Sequence, residues 1–334
     1  MKRILMISAV ITALSCGTVS AQIYRVAQMN ADQIRALDKQ KTVVILTGGI
    51  LEQHGPHLPS YTDGYSNEWL AQKLAESIVT RPGMSVLMFP TIPLGHGGAN
   101  EIAGKYVYPG SYTVRRTTLR AVFMDLATEL GEQGFRWVFI MHGHGSPYHN
   151  LMLDQAGDFF RDAYGGRMIH IRGLQPKPEQ WAKLNVSPLD LNLSESENKE
   201  NGILDLHGGL EETSRLLFTR PDLVNPVYRT LEPFPANNFA EVFQMGRATN
   251  WLGYFGSPRL ANASYGAQLQ QNRSIRDRAI AFAILDGQLD ERDIPRIADL
   301  RSIPPMAKVI EGSTRYDAEV ERKQREWMKK KGIE

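Results

Sequence analysis

Two kinds of stretch alternate along the chain. Thr42 to Thr47, Ser85 to Phe89, Trp137 to Met141 and Arg167 to Ile171 are short runs of β-branched, aromatic and aliphatic residues with little polar interruption. Unbroken apolar runs of that length suit strands buried on both faces. Between them, Ser66 to Val79, Val114 to Gln133 and Asn150 to Ala163 carry apolar residues at three- and four-residue spacing, which predicts helices burying one face. Strand alternating with helix at this pitch predicts an α/β fold, a mainly parallel sheet covered on both sides in a three-layer α/β/α sandwich. Ligands of such sheets collect in the loops beyond the carboxyl ends of the strands. Two of the four runs open into polar sequence, Gly48 to Asp63 and His142 to His149, so these loops are expected to share one edge.

Further along the pattern weakens. Gly173 to Asn201 reads as a surface loop, Pro221 to Asn262 as a second loop-rich region, and about Ser264 to Leu285 as another helix. Tyr316 to Lys331 reads as a charged helix with Ala318, Val320 and Trp327 as its few apolar contacts, solvated and packed on a neighbour or frayed. The expected organisation is a leader over residues 1–21, one large α/β domain over 22–287, and a partly helical C-terminal extension over 288–334. No internal repeat is evident.

The leader follows from Met1-Lys2-Arg3, an apolar stretch from Ile4 to Leu14, and small residues closing in Val19-Ser20-Ala21. That order is the one a secretory signal presents, with cleavage expected near Ala21 and a periplasmic or secreted product. The run is short for a membrane anchor, so no membrane association is expected after cleavage. Cys16 is the only cysteine and its context suits lipidation poorly; removal of the leader takes away the last thiol, leaving no disulfide, thiolate nucleophile or sulfur ligand. With 42% hydrophobic and 22% charged residues and a formal net charge of +2, the chain has material for a large core and no concentration of positive charge for nucleic acid. A small-molecule partner fits better.

Candidate chemistry concentrates in three places. Glu52-Gln53-His54-Gly55-Pro56-His57-Leu58-Pro59, followed by Thr62-Asp63, presses carboxylates and imidazoles into one Gly/Pro-shaped loop. Oxygen and imidazole donors without thiolates are what Zn²⁺ or Mn²⁺ take. His142-Gly143-His144-Gly145-Ser146 ends another strand, and either histidine can ligate. His207-Gly208-Gly209-Leu210-Glu211-Glu212 sets a histidine and carboxylates at the start of a helix, a weak signal alone.

Together these segments resemble the creatininase (creatinine amidohydrolase) family, whose members carry Glu-Gln-His-Gly-Pro-His-Leu-Pro then Thr-Asp, an Asn-Gly-His loop, and His-Ala-Gly-x-x-Glu-Thr-Ser. The similarity runs from about Met29 through Gly287 and includes Tyr108-Pro109-Gly110-Ser111 and Gly253 to Pro258. The resemblance implies two divalent ions per chain, Zn²⁺ and/or Mn²⁺, with Fe²⁺ also compatible. One would be held by Glu52, Asp63 and His144, and Asp63 would bridge to a second held by His54 and Glu212, with Glu211 as the fallback. His207 would bind substrate or transfer a proton. The resemblance also implies a homo-oligomer, a hexamer being the common family assembly. Three carboxylates and one bridging hydroxide would neutralise two divalent ions, which eases burial of the site. The expected reaction is hydrolysis of a C–N bond in a cyclic or linear amide by hydroxide generated at the metals.

Departures from the family pattern bear on the substrate. His142 stands in place of the family's Asn, Ser146 where creatininase has a ligand glutamate, and Pro147 follows. His142 reads as a structural histidine, His57 as a brace for the first loop, and His96 as part of a lengthened glycine-rich segment near the substrate. Trp181 suits a lid or surface packing. Two other functions share this sequence: a two-metal phosphoesterase, disfavoured because no arginine or lysine lies in the three motifs, and a metal-binding family member without turnover.

Overall fold

The computed structural model describes residues 22–186 and 193–333, so the expected leader lies outside the described residues. Five strands, β1 (Ile23–Arg25), β2 (Thr42–Thr47), β3 (Ser85–Met88), β4 (Trp137–Met141) and β5 (Arg167–His170), form one all-parallel sheet in the order β1-β3-β2-β4-β5. The central strand β2 pairs Ile45 with Met88 on one side and with Phe139 on the other.

Eleven α-helices appear among the described residues. The first five are α1 (Ala31–Arg35), α2 (Thr62–Ile78), α3 (Ala99–Ile102), α4 (Arg116–Glu132) and α5 (Pro147–Tyr164). Then come α6 (Pro178–Lys183), α7 (Glu195–Asn201), α8 (Leu210–Thr219), α9 (Phe239–Arg247), α10 (Ala263–Leu285) and α11 (Pro304–Lys331). None is long and apolar enough to cross a membrane.

The alternation of side chains along β2 builds both cores. Val43 and Ile45 pack with Leu70, Leu74 and Ile78 of α2 and Ile280 and Ile284 of α10. Val44 and Leu46 point the other way, onto Phe123 of α4 and Leu153 and Phe160 of α5. Every residue of β2 is buried, which is why its sequence shows no polar alternation. The fold is the expected three-layer α/β/α sandwich.

Topology places the site. The chain leaves β2 through α2 toward β3, and leaves β4 through α5 toward β5, on the opposite side. Where neighbouring strands send their connections apart, a crevice opens at their carboxyl ends. The loops after β2 and β4, which carry the first two motifs, flank that crevice.

Several boundaries differ from the sequence reading. The edge strand β1 is only three residues long, too short to register as a run. Helix α2 begins at Thr62, so Asp63 sits in a helical first turn rather than in the preceding loop. Short helices α6 and α7 occupy the Gly173 to Asn201 segment, and α9 the second loop-rich region. Trp181 of α6 packs against the α2/α10 core with the Arg276 guanidinium 4.2 Å from its ring centre, so its place is surface packing.

The C-terminal helix departs most. It starts at Pro304, whose fixed φ suits the first turn, instead of near Tyr316. Its first half carries buried Met306, Gly312 and Ser313, while its second half is exposed and laced by Glu319–Lys323, Glu321–Arg325 and Arg322–Glu326 pairs. Only that second half is the solvated helix expected.

Candidate metal centre

The three motifs meet at the crevice. Glu52, Asp63 and His144 bring one donor atom each within 4.8 Å of one another, and so do His54, Asp63 and Glu212. Asp63 belongs to both groups. A third such group joins Glu52, His54 and His207.

Local structure explains why these side chains converge. Asp63 and Glu212 occupy the first turns of α2 and α8, where unpaired backbone N–H groups favour negative charge. Glu212 Oε2 accepts from Gly208 N at 2.7 Å, a contact that needs the left-handed backbone Gly208 adopts at φ 63°. The fully buried Glu52 is held by the Ala99 N–H, and its own N–H donates to Ser60 O at 2.7 Å. Asn67, one turn after Asp63 on α2, donates to Gly48 O at 2.9 Å and Gly143 O at 3.0 Å, tying the first two loops together. Asn150 does the same within the histidine loop, donating to His144 O at 2.7 Å and Ser146 O at 2.8 Å.

Backbone carbonyls orient all three central imidazoles. His54 Nδ1 lies 2.8 Å from Glu52 O, His144 Nε2 lies 2.9 Å from Gly97 O, and His207 Nε2 bonds to Gln53 O. Since a carbonyl only accepts, each ring places its N–H there and turns its other nitrogen to the carboxylates. His144 Nδ1 then faces Asp63 Oδ2 at 3.0 Å and Glu52 Oε2 at 3.3 Å. His54 Nε2 faces Glu212 Oε2 at 3.5 Å and Asp63 Oδ1 at 3.8 Å. His207 Nδ1 lies 3.8 Å from both Glu52 Oε1 and Glu212 Oε2.

The electrostatics of this cage are unusual for a buried cluster. Burial raises Glu52 to about 7, against the pull of His144 and His54, and burial raises Glu212 as well. Burial opposes charge on His54, yet Glu212, Asp63 and Glu52 together hold it at about 10; His144 is held at about 9 by Glu52 and Asp63 against the same penalty. Asp63 lies well below the usual carboxylate range despite its burial because His144 and His54 bond to it. Glu52 Oε2 and His54 Nε2 are buried without a hydrogen-bond partner. Orphaned donor atoms converging in this way fit a cation, which satisfies acceptors that a proton satisfies only in part.

At pH 8 the cage-facing nitrogens of His54 and His144 carry protons that an incoming cation would have to displace. Titration with Zn²⁺ is expected to release about two protons at that pH, and affinity falls as pH is lowered because protons compete for the same nitrogens. Calorimetry in buffers of different ionisation heat reads this directly; uptake without proton release would mean that the imidazoles do not ligate.

The remaining candidate residues separate cleanly. Glu211 pairs with Arg215 at 2.7 Å, leaving Glu212 as the carboxylate in the cage. Ser146 caps α5. His57 Nε2 reaches Gly208 O at 3.0 Å and Thr213 Oγ1 at 2.9 Å, bracing the first motif against the third. His142 lies 3.0 Å from His149 and 2.9 Å from Ile92 O, and burial lowers it to about 4; it is a neutral structural histidine beside the cage. His96 bonds to Val114 O at 3.1 Å and lines the cavity next to the cage. All eight histidines of the chain lie at this end of the sheet, none more than a tenth exposed.

Two cavities open on the cage, with His144 and Glu212 in the lining of both. One, of about 190 Å³, is lined by Asp63, His144 and Glu212 together with Arg172, Arg215 and Arg273. Arg172 Nη1 is buried without a hydrogen-bond partner, 3.7 Å from Asp277, and burial beside Arg273 lowers its guanidinium to about 9. The three sequence motifs lack arginine and lysine, but the fold supplies guanidinium groups from β5's end, α8 and α10. The other cavity, of about 180 Å³, joins Glu52, His144, His207 and Glu212 to apolar residues of α11.

Comparison with known proteins places the chain among relatives of like fold. Residues 27–275 match the family model Creatininase: Creatinine amidohydrolase. Creatinine amidohydrolase of Pseudomonas putida is 28% identical over 189 residues, 55% of this chain and 66% of that enzyme, just under two thirds of its length. The mycofactocin precursor peptide peptidase of Mycolicibacterium smegmatis is 25% identical over 242 residues, 70% of this chain and 82% of that protein. Among solved structures, a manganese creatininase superposes with TM-score 0.54 at 21% identity, covering 79% of this chain and 98% of its own. A substituted creatininase of the Zn-Zn type gives 0.53 at 21% identity, covering 79% and 97%. With its sheet, its motifs and most of its length matched, the chain belongs to the creatininase family.

Proposed function

We propose that this protein is an exported amidohydrolase that uses two divalent cations, Zn²⁺ and/or Mn²⁺, to hydrolyse a C–N bond in a small cyclic or linear amide. The observation that carries the reading is the pair of donor triads sharing Asp63, with the imidazole tautomers set by backbone carbonyls. One ion would be held by Glu52, Asp63 and His144 and the other by His54, Asp63 and Glu212. Bound there, divalent cations would supply acidification of a water molecule and polarisation of an amide carbonyl.

The chain's own groups do the rest. Gln53 O fixes the His207 ring, so Nδ1 is its free base, aimed into the cage. This nitrogen takes a proton from the attacking water and passes it to the departing amine nitrogen. Glu52 stays in place through the Ala99 N–H.

Emission spectrometry of the purified protein, joined to an amidase screen with and without chelator, tests the reading. About two metals per chain and chelator-sensitive hydrolysis are expected; metal-free protein with unchanged turnover overturns it. The arginine-lined cavity favours an anionic group on the substrate, and it gives weight to a second reading, hydrolysis of a phosphoester at the same cage. Including phosphate mono- and diesters in the screen separates the two. We also propose a periplasmic or secreted location after cleavage near Ala21 and a homo-oligomeric assembly, checked by N-terminal sequencing and light scattering of the secreted protein.

A further inference from the structure

The family match stops at residue 275, yet the wall facing the cage comes from beyond it. Ile303, Met306, Val309 and Ile310 occupy one side of the start of α11, at the three- and four-residue spacing of a helix face, and line the cavity that also contains Glu52, His144 and His207. Phe239 of α9 closes the same cavity. Leu206 and Leu300 at its rim are 38% and 47% exposed, so apolar surface is left unfilled beside the polar cage. At about 180 Å³ the space exceeds the roughly 150 Å³ that takes up a benzene ring.

The wall is anchored. Ser313 bonds to the buried Glu101 carboxylate, Arg116 N donates to Asp317 Oδ2 at 3.1 Å, and Arg116 Nη1 donates to Thr314 Oγ1 at 2.8 Å. Tyr316 stacks on Tyr106 at 5.2 Å, and the Tyr106 hydroxyl fills the space where a side chain at Gly312 would stand. Arg115 pairs with Glu321 at 3.1 Å one turn further on. A helix tied down at so many points holds its apolar face at a fixed distance from the cage.

We propose that α11 is the specificity wall of the site, and that the substrate carries an apolar group, an aliphatic chain or a phenyl ring, on the scissile amide, seated against Ile303, Met306, Val309 and Ile310. This rests on the metal-centre reading above, and the test separates the two. The probe is a series of alkyl hydroxamates, from acetohydroxamate to hexanohydroxamate, titrated by calorimetry into the zinc-loaded full chain. The hydroxamate head reports on the cage and the tail on the wall.

Affinity is expected to rise by up to about fourfold per added methylene in the native protein. Val309→Trp, which fills the cavity, should abolish that rise while leaving acetohydroxamate affinity unchanged. Should that variant fail to fold, Ile310→Ala removes wall contacts without adding bulk and is expected to weaken only the longer probes. A flat chain-length series, or variants that weaken every probe equally, overturns the specificity wall. Failure of all hydroxamates to bind overturns the metal-centre reading and this inference with it.

Discussion

Asp63→Ala is expected to empty both halves of the cage at once. Its two oxygens face His144 at 3.0 Å and His54 at 3.8 Å, and it is the one carboxylate common to both triads. Metal content by emission spectrometry should fall to background, and turnover should fall by more than the roughly 10²–10³-fold that loss of a single stabilising donor costs an enzyme. The metal-free fold should suffer as well. Two buried imidazoles would lose the counter-charge they share, His144 keeping only Glu52 and His54 only Glu212, and removing one partner of a buried pair costs about 3–5 kcal/mol. Asp63→Asn keeps the shape and removes the charge, so it should fold better than the alanine variant yet still fail to retain cations. An alanine variant that keeps both metals would sink the shared-ligand arrangement.

His207→Ala is the second large effect, and its signature is different. With Nε2 committed to Gln53 O, only Nδ1 can exchange a proton with substrate or water. The variant should keep its metals, hold KM near the native value, and lose about 10²–10⁴ in kcat. The pH–rate limb belonging to this imidazole should disappear with it. The triad of Glu52, His54 and His207 offers the opposing outcome. If metal content drops instead, His207 is a ligand and its role as proton carrier is wrong.

Much of this was legible in the sequence, for identifiable reasons. β2 and β4 are buried on both faces, so their apolar runs mark them without ambiguity, and their termini marked the loops that carry the first two motifs. Glu52, His54, Asp63 and His144 lie in dense local motifs and stood out on that account, whereas the segment of His207 and Glu212 is a weak signal alone and was singled out by the resemblance to the family. Asn67 was within reach too: it follows Asp63 by four residues and therefore shares its helix face.

The rest was not local. Arg172 and Arg273 come from separate parts of the chain and meet only because α10 packs on the sheet face beside α2 and brings Arg273 to the end of β5, so no spacing announces them. The start of α11 was hidden for another reason. Pro304-Pro305 reads as a breaker in isolation, although proline is well suited to a helix's first turn. Its apolar residues are too few to resemble a core helix, because they face a cavity rather than a close-packed neighbour.

Confinement of every histidine to the interior has a consequence for behaviour in acid. Near neutrality, imidazole is the side chain whose charge ordinarily changes, while carboxylates and guanidinium groups keep theirs. The exterior of this protein therefore presents nearly constant charge between about pH 6 and 8. Mild acid should therefore displace cations held at the proposed cage before solubility or contacts with other molecules change, an order that metal analysis and light scattering across the same pH steps would check.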